Sequence, residues 1–267
     1  MIYLYWILFI AYSAIVIGTI ITVLMDNRQP VKTMAWVMAV MFMPVAGVIL
    51  YFFFGQDTRK EKLISQHSLN LLTKSSMLEF AVQKGLVVPE ENKTLVKLFA
   101  MQNWALPFKD NEVDIYTDGY SFFASLMNEI GAARKSIHLV TYIMEADPLG
   151  NLVADMLIDK AREGVEVRLI YDDVGCWNVR DEFFNRMRKA GIKVETFMPV
   201  RFPAFTSKVN YRNHRKLCVI DGKVGFIGGM NIAKRYITGN GKQKWRDTHM
   251  RIRGGAVYAI QRAFLVD

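Results

Sequence analysis

Hydrophobic and polar positions divide the chain into two parts. The first part contains two runs without a charged residue, at positions 2–24 and 33–55. Each run is long enough to cross a hydrocarbon core of about 30 Å as a helix. Pro44 and Gly47 interrupt the second run, so this run is expected to kink or to re-enter. Residues 1–55 are therefore predicted to form a membrane hairpin of two hydrophobic helices.

A cleaved signal peptide is the main alternative for the first run. No basic residue precedes the run, no small-residue cleavage site follows it, and a second hydrophobic run lies close behind. These features favour a multi-pass membrane protein. Basic residues after the hairpin slightly outnumber those in its turn, which favours a cytoplasmic position for the rest of the chain.

The second part begins with a helical connector and continues with alternating strands and helices. Residues 56–111 form the expected connector, with short amphipathic helices at 63–72 and 94–104. Strands are expected at 113–116, 137–144, 165–171, 192–197, 216–220, 224–227 and 246–253, and helices at 120–133, 151–162, 181–190 and 256–264. Asp221-Gly222 joins two of these strands as a hairpin turn. Such alternation is typical of an α/β layered sandwich, predicted here for residues 112–267.

The positive charge of the protein lies in one stretch of sequence. The formal net charge is +9, but residues 201–253 contain 13 Lys and Arg against two acids, a balance of 13 − 2 = +11. The rest of the chain is therefore close to neutral. A basic stretch of this kind indicates an anionic partner, although a solvated basic surface would give the same count. The two cysteines, Cys176 and Cys218, provide neither a disulfide framework nor a metal-ligand cluster.

His214 and Lys216 form the candidate chemical site. They lie two positions apart on a predicted strand, so both side chains are expected on the same face. An imidazole can attack phosphorus and form a covalent phosphohistidine. A neighbouring ammonium can neutralise charge on the non-bridging oxygens. The pair therefore predicts phosphodiester chemistry, which needs no metal.

Four further residues follow on the same hairpin. Asp221 opens the Asp-Gly turn, where a side chain that caps backbone amides is the ordinary explanation, so Asp221 is expected to be structural support. Gly228 and Gly229 end the second strand, where missing side chains would let backbone amides approach a phosphate. Asn231 would add an amide donor. These three residues are the predicted phosphate-binding group.

The spacing of these residues resembles a known family motif. His-x-Lys, four residues, Asp, six residues and Gly-Gly-x-Asn, found at positions 214–231, resembles the HKD motif of the phospholipase D superfamily. Residues 30–36, 169–175 and 245–249 resemble segments of bacterial cardiolipin synthases. The resemblance extends over nearly the whole chain.

The resemblance implies a fold, a reaction and a location. The fold would be a transmembrane helical hairpin followed by one phospholipase D-like α/β/α sandwich with a mixed sheet, in a bacterial inner membrane. Two phosphatidylglycerol molecules would yield cardiolipin and glycerol through a phosphatidyl-histidine intermediate, without a cofactor. His214 would be the nucleophile, with Lys216 on the phosphate and Asp221 as the third residue of the motif. The expected partners are an anionic phospholipid and the membrane, and no nucleic acid.

The family carries two HKD motifs, whereas this sequence contains one. Residues 1–267 resemble the N-terminal half, so a complementing C-terminal half or a homodimer would supply the second histidine. Two other functions stay open: another phosphodiesterase of the superfamily, a phospholipase or a nuclease, and an inactive membrane-bound fragment.

Three other polar residues are candidates for a structural role or a role in the site. Asp172 and Asp173 follow a predicted strand, and adjacent positions cannot share a face, so at most one points inward. A solvated turn and a role in the site are equally compatible with this position. His249 is expected to be a structural histidine.

Overall fold

A computed structural model gives the fold, and it describes residues 2–25, 30–55, 90–103, 107–200, 212–239, 241, 243 and 245–267. The helix predicted at 63–72 lies outside the described residues. The chain divides into two compact units, Met1–Lys62 with Val200–Tyr211, and Leu63–Pro199 with Arg212–Asp267.

The first unit contains the hydrophobic helices. They are α1 (Ile2–Met25), α2 (Pro30–Phe42) and α3 (Pro44–Leu50), and α3 continues into a π-helical turn, Tyr51–Gly55. Val23, Val40 and Tyr51 are buried together where these segments pack. Within the described residues, α1 is the one helix that is long and apolar enough to cross a membrane. The first hydrophobic run therefore forms the predicted helix.

The second hydrophobic run is helical but broken. The break falls at Met43, since Pro44 begins a new helix and proline cannot donate the backbone hydrogen bond that would continue α2. A Cβ at Gly47 would overlap the carbonyl oxygen of Ala39, so glycine permits the close approach of α3 to α2 at this bend. The run is thus two short helices and not one span, and a second membrane crossing stays a prediction.

The second unit is built on one seven-stranded sheet. Its described elements in chain order are α4 (Lys93–Asn103), β1 (Glu112–Tyr116), α5 (Gly119–Ala132), β2 (Ser136–Thr141), α6 (Pro148–Arg162), β3 (Glu166–Asp172), α7 (Asp181–Lys189), β4 (Lys193–Phe197), β5 (Leu217–Ile220), β6 (Val224–Gly228), α8 (Arg235–Thr238), β7 (His249–Arg253) and α9 (Val257–Val266). The strand order is β1-β7-β6-β5-β2-β3-β4. Strands β2, β3 and β4 are parallel, and the other neighbours are antiparallel. The predicted α/β class with a mixed sheet is confirmed.

Apolar side chains leave the sheet on both faces because strand residues alternate. On one face, Leu139, Leu169 and Phe226 are buried with side chains of α5, α6 and α7. On the other face, Val140 and Val219 are buried against α9. The unit is therefore a three-layer sandwich, with the sheet as its middle layer.

Most predicted elements are present, with shifted ends. Helix α6 begins three residues before the predicted start, because the Asp147 carboxylate accepts a hydrogen bond from the Gly150 amide at 2.9 Å and Pro148 occupies the first turn. The strand predicted from residue 246 begins at His249. Helix α8 was not predicted, since four residues are too few to show a helical period.

Candidate active site at the edge of the sheet

The candidate site lies where three strand ends meet. Strand β2 is parallel to β3 and antiparallel to β5, and Val140 lies opposite Leu217. The C-terminal ends of β2 and β3 are therefore at the same edge as the start of β5. Residues 213–216 immediately precede β5, so the His214 segment is placed at this edge.

His214 and Lys216 lie against one aromatic ring. The ring of Tyr142 is 4.5 Å from the His214 ring, measured between centroids, and the Lys216 Nζ lies 5.0 Å from the Tyr142 centroid. Lys216 Nζ also donates a hydrogen bond of 2.6 Å to the carbonyl oxygen of His214. The two groups are thus together, as expected. The reason for their proximity differs from the one predicted. Both residues precede β5, so strand alternation does not bring their side chains together; both side chains instead contact the ring of Tyr142.

The two side chains differ in exposure. His214 is exposed, whereas Lys216 is 3% exposed. An exposed imidazole can meet a substrate without rearrangement of the protein. The buried ammonium lies behind it and cannot leave without breaking its hydrogen bond to the main chain.

Burial and neighbouring charges shift the pKa values of both groups. Partial desolvation of the ring and the Lys216 ammonium lower the pKa of His214 below its ordinary 6.5, and the carboxylates of Asp172 and Asp247 oppose this. Burial lowers the pKa of Lys216 to about 8, again against these two carboxylates. A histidine with a lowered pKa is neutral near pH 7, which is the form that attacks phosphorus.

Gly228 and Gly229 allow the segment before β7 to approach the site. A Cβ at Gly228 would lie 2.5 Å from the carbonyl oxygen of Thr248, and a Cβ at Gly229 would overlap the Asp247 carboxylate. Asp247 can therefore lie near enough to act on His214 and Lys216. The backbone amides of the two glycines already donate, Gly228 to Lys216 O at 3.2 Å and Gly229 to Thr248 O at 2.8 Å. Their role as phosphate donors stays a prediction, and these bonds do not support it.

Asn231 joins two loops beside the site. Its Oδ1 accepts a hydrogen bond from the Ile143 amide at 3.0 Å, and its Nδ2 donates to the Tyr236 hydroxyl at 2.7 Å. The residue is 4% exposed. Both ends of the side chain are engaged, so the structure gives Asn231 a packing role in addition to the predicted contact with phosphate.

Asp221 is separated from His214 by the length of β5. His214 precedes the strand and Asp221 follows it. The carboxylate accepts hydrogen bonds from the amides of Arg134, Lys135 and Ser136, at 2.9, 2.7 and 2.9 Å. This is the capping role expected for the Asp-Gly turn, although the amides belong to a neighbouring segment and not to the turn itself.

Five arginines of the basic stretch pair with acids from other parts of the chain. Arg212 pairs with Asp172, Arg215 with Asp267, Arg235 with Glu145, Arg251 with Asp114 and Glu129, and Arg253 with Glu129. These pairs offset part of the positive charge, and four bases of the stretch, Arg201, Lys208, Lys242 and Lys244, lie outside the described residues. The anionic partner of the basic stretch therefore stays a prediction. Lys216 remains the cation that lies directly beside His214.

No metal site is present among the described residues, in which no group of three or more His, Cys, Asp or Glu side chains is arranged to hold a metal ion.

Family models and relatives match the chain over the same segments. Residues 126–247 match the family described as "Cardiolipin synthase, PLD-like domain", and residues 14–56 match "Phospholipase_D-nuclease N-terminal". A cardiolipin synthase of Oceanobacillus iheyensis is 40% identical over 258 residues, 92% of this chain. The major cardiolipin synthase ClsA of Bacillus subtilis is 38% identical over 257 residues, 93% of this chain. The chain belongs to the cardiolipin synthase family.

The family relatives are longer than this chain, which covers 53% of each of these two proteins. The chain thus spans about half the length of the curated relatives it matches. Among solved structures, phosphatidylserine synthase of Haemophilus influenzae shares 15% identity, covering 64% of this chain and 41% of that one, with a TM-score of 0.47. The phospholipase D family member Nuc of Salmonella typhimurium shares 18% identity, covering 58% of this chain and 93% of that one, with a TM-score of 0.45. Similarity at this level says nothing about the reaction or the substrate.

The sequence analysis did not identify two residues of the candidate site, and it left the role of a third residue undecided. Tyr142 was not singled out, because the strand predicted at 137–144 includes it, whereas the observed strand ends at Thr141 and leaves Tyr142 at the edge of the sheet. Asp247 was noted only as part of a segment that resembles the family. Asp172 was left between a turn and a site role, and the structure buries it completely, behind the His214 segment.

Proposed function

We propose that the protein is a phosphatidyltransferase, which makes cardiolipin and glycerol from two phosphatidylglycerol molecules through a phosphatidyl-histidine intermediate. The observation that carries the proposal is the exposed imidazole of His214 beside the buried ammonium of Lys216 on the ring of Tyr142. Membership of the cardiolipin synthase family supports a phospholipid substrate.

The reaction has two steps. In the first, the neutral imidazole of His214 attacks the phosphorus of one phosphatidylglycerol, and a nitrogen–phosphorus bond forms while the bond to the glycerol oxygen breaks. The departing glycerol takes a proton from a second histidine, supplied by a C-terminal half or by a second copy of the chain. In the second step, a glycerol hydroxyl of another phosphatidylglycerol returns a proton to that histidine, attacks the phosphorus and displaces His214. Lys216 neutralises charge on the non-bridging oxygens in both steps.

The other motif residues act around this pair. Gly228 and Gly229 leave room for Asp247, whose carboxylate opposes the lowered pKa of His214. Asn231 holds the loop after Tyr142. Asp221 supports the start of β2. We assign Asp221 and Asn231 to support and not to the chemical steps.

The N-terminal helices would anchor the enzyme in the inner membrane. Helix α1 has 24 residues without a charged side chain, enough for a crossing of about 30 Å. For a multi-pass arrangement, the α2–α3 pair would have to return the chain to its starting side. The catalytic part would then lie in the cytoplasm, where anionic phospholipid is available at the bilayer surface.

The test is an assay of the full chain in phosphatidylglycerol vesicles. Because a second copy would supply the second histidine, the protein is tested over a range of protein-to-lipid ratios, with products separated as cardiolipin and phosphatidic acid. We expect cardiolipin at the highest ratios, none with His214→Ala, and an unchanged yield with Lys223→Ala. Lys223 is an exposed control lysine at the other end of the β5–β6 hairpin.

Each other outcome excludes one assignment. Unaltered synthesis by His214→Ala would rule out this histidine as the nucleophile. Phosphatidic acid in place of cardiolipin would identify water as the acceptor and the protein as a phospholipase. No turnover at any ratio by a folded chain would support an inactive membrane-bound fragment.

A further inference from the structure

Asp172 is a fully buried carboxylate that binds the segment carrying His214. It is 0% exposed. Its Oδ2 accepts a hydrogen bond from the Asn213 amide at 3.0 Å, and its Oδ1 accepts one from the Gly175 amide at 3.0 Å. The guanidinium of Arg212 lies 3.4 Å from Oδ1. One side chain thus contacts both residues that directly precede His214.

The sheet brings these groups together from distant parts of the sequence. Asp172 is the last residue of β3. The Asn213 amide, which donates to it, lies just before β5, and β2 lies between these two strands. Asn213 extends the arrangement across His214, since its Oδ1 accepts a hydrogen bond from the Arg215 amide at 3.0 Å. The backbone is therefore held before and after His214, while the imidazole itself remains exposed.

A buried carboxylate is costly unless it has partners, which makes its position informative. A turn could be closed by Gly175 alone, as any strand-end aspartate can do. The second oxygen is used for the Asn213 amide instead. Bonds from an ionised oxygen to a backbone amide are among the stronger hydrogen bonds in proteins, and burial protects this one from competition by water.

We propose that Asp172 is the positioning residue of His214, which fixes the direction of the imidazole towards Tyr142 and Lys216 before a substrate binds. The inference rests on the proposed role of His214 as the nucleophile. Asp172 acts through the backbone of residues 212–213 and does not contact the substrate. Misplacement of a nucleophile by about 1 Å can cost about 100-fold in rate, so such support affects the chemistry directly.

The charge of Asp172 gives a readout that a purely structural role would not move. The groups that influence His214 are the Lys216 ammonium and the carboxylates of Asp172 and Asp247. When the Asp172 charge is removed, Asp247 is the one remaining carboxylate of this group that opposes the effect of Lys216 on the pKa of His214. The pKa of His214 is then expected to fall further below 6.5 in an Asp172→Asn variant.

The experiment is histidine NMR on the full chain in micelles. The chain has four histidines, and the His214 signal is identified by its loss in His214→Ala. With Asp172→Asn, we expect the His214 signal to broaden or split, its pKa to fall, and formation of the phosphorus adduct to slow by about 10- to 100-fold. Asp173→Asn is the matched control, because it removes the same charge one position away and is expected to leave the His214 signal unchanged.

Two results would overturn the proposal. The first is an unchanged shift and pKa of His214 in a folded Asp172→Asn protein. The second needs no variant: the Asn213 amide of the native chain should be protected from hydrogen exchange, and exchange at the rate of an unprotected amide would contradict the bond to Asp172 even if Asp172→Asn fails to fold. Neither measurement needs turnover, so a failure of the proposed function and a failure of the Asp172 contact would be told apart.

Discussion

Asp221 supports the start of β2 from a neighbouring hairpin, and its removal should have a measurable cost. The carboxylate accepts three backbone amide bonds, from residues 134, 135 and 136. Asp221 also has a φ of +54°, in the left-handed region, and Gly222 follows with +64°. The change that we consider is Asp221→Ala, which removes the acceptor and leaves a side chain that is poorly suited to this backbone conformation.

The two effects can be estimated separately. Hydrogen bonds to a charged acceptor are worth about 1.5–3 kcal/mol when buried, but Arg134 and Lys135 are exposed and water can replace their partner. About 0.5–1 kcal/mol for each of three bonds gives about 2 kcal/mol. Alanine in the left-handed region adds about 1 kcal/mol. We therefore expect Asp221→Ala to lower the free energy of unfolding by about 3 kcal/mol.

Two further variants separate these contributions. Asp221→Gly removes the carboxylate without left-handed strain, so it should be about 1 kcal/mol more stable than Asp221→Ala. Asp221→Asn keeps one oxygen, which can still accept from the Lys135 and Ser136 amides that bind Oδ1, so it should lose about 1 kcal/mol. The assay is urea unfolding of the full chain in micelles, followed by near-ultraviolet circular dichroism. A loss below about 0.5 kcal/mol for Asp221→Ala would refute the estimate, because exposed substitutions without specific partners fall in that range.

The difference in stability between the native chain and Asp221→Ala is expected to depend on pH. Burial raises the pKa of Asp221, but the hydrogen bonds from Ser136, Lys135 and Arg134 outweigh it and hold the pKa below the ordinary 3.8. A carboxyl with a lowered folded-state pKa stabilises the protein above its unfolded-state pKa, and this contribution is lost as the pH falls through the folded-state value. The advantage of the native chain over Asp221→Ala should therefore be constant above about pH 5 and shrink below about pH 4.

Two further predictions concern His249 and the membrane helices. His249 is buried and stacks on Phe122, with 4.0 Å between the ring centroids. Burial and the Lys216 ammonium lower the pKa of His249 to about 3. The native chain should therefore lose stability below about pH 6.5 relative to His249→Phe, because only the unfolded chain then binds the proton. A difference between the urea midpoints of the two proteins that stays constant from pH 7 to 4 would contradict this. For the helices, cysteines introduced at Tyr3 and Lys109 should both react with an impermeant maleimide only after the cells are permeabilised. Labelling of the two positions from opposite sides would show an odd number of crossings.

The order of strands and helices could be predicted from the sequence because each buried face leaves a local pattern. The alternation in β3, where Val167 and Leu169 are buried and Arg168 between them is not, is visible in any window of a few residues. Helix α5 likewise has buried residues at Phe122, Leu126 and Ile130, one turn apart. Such signals do not depend on the rest of the chain.

The arrangement of the site could be predicted only in part, because its contacts join distant segments. The short spacing of His214 and Lys216 was visible in the motif, but Tyr142 follows β2 and Asp172 ends β3, both far from the motif in sequence. The same limit applies to the charge of the basic stretch, because the sequence alone does not show which bases are paired. Its arginines pair with acids such as Asp114, Glu129 and Glu145, which lie far away in sequence and close in space.

The break in the second hydrophobic run shows a different limit. Pro44 signalled an interruption, and both a kink and a re-entrant turn were compatible with it. Whether a proline bends a helix or ends it depends on what packs against the freed carbonyls. The close approach of Gly47 to the Ala39 carbonyl is a backbone contact of this kind, and no hydrophobic pattern records it.

The pairing of β1 with β7 has a consequence for how the sheet is completed during synthesis. In the described sheet, β1 has β7 as its one neighbour, and Tyr116 pairs with His249. The ribosome releases β1 first of the seven strands and β7 last, so β1 waits as an unpaired edge until translation of the unit is almost finished. Contacts of such long sequence separation form late and slowly. Amino-acid changes in β1 should therefore affect the yield of folded protein more through this waiting period than through the stability of the finished sheet.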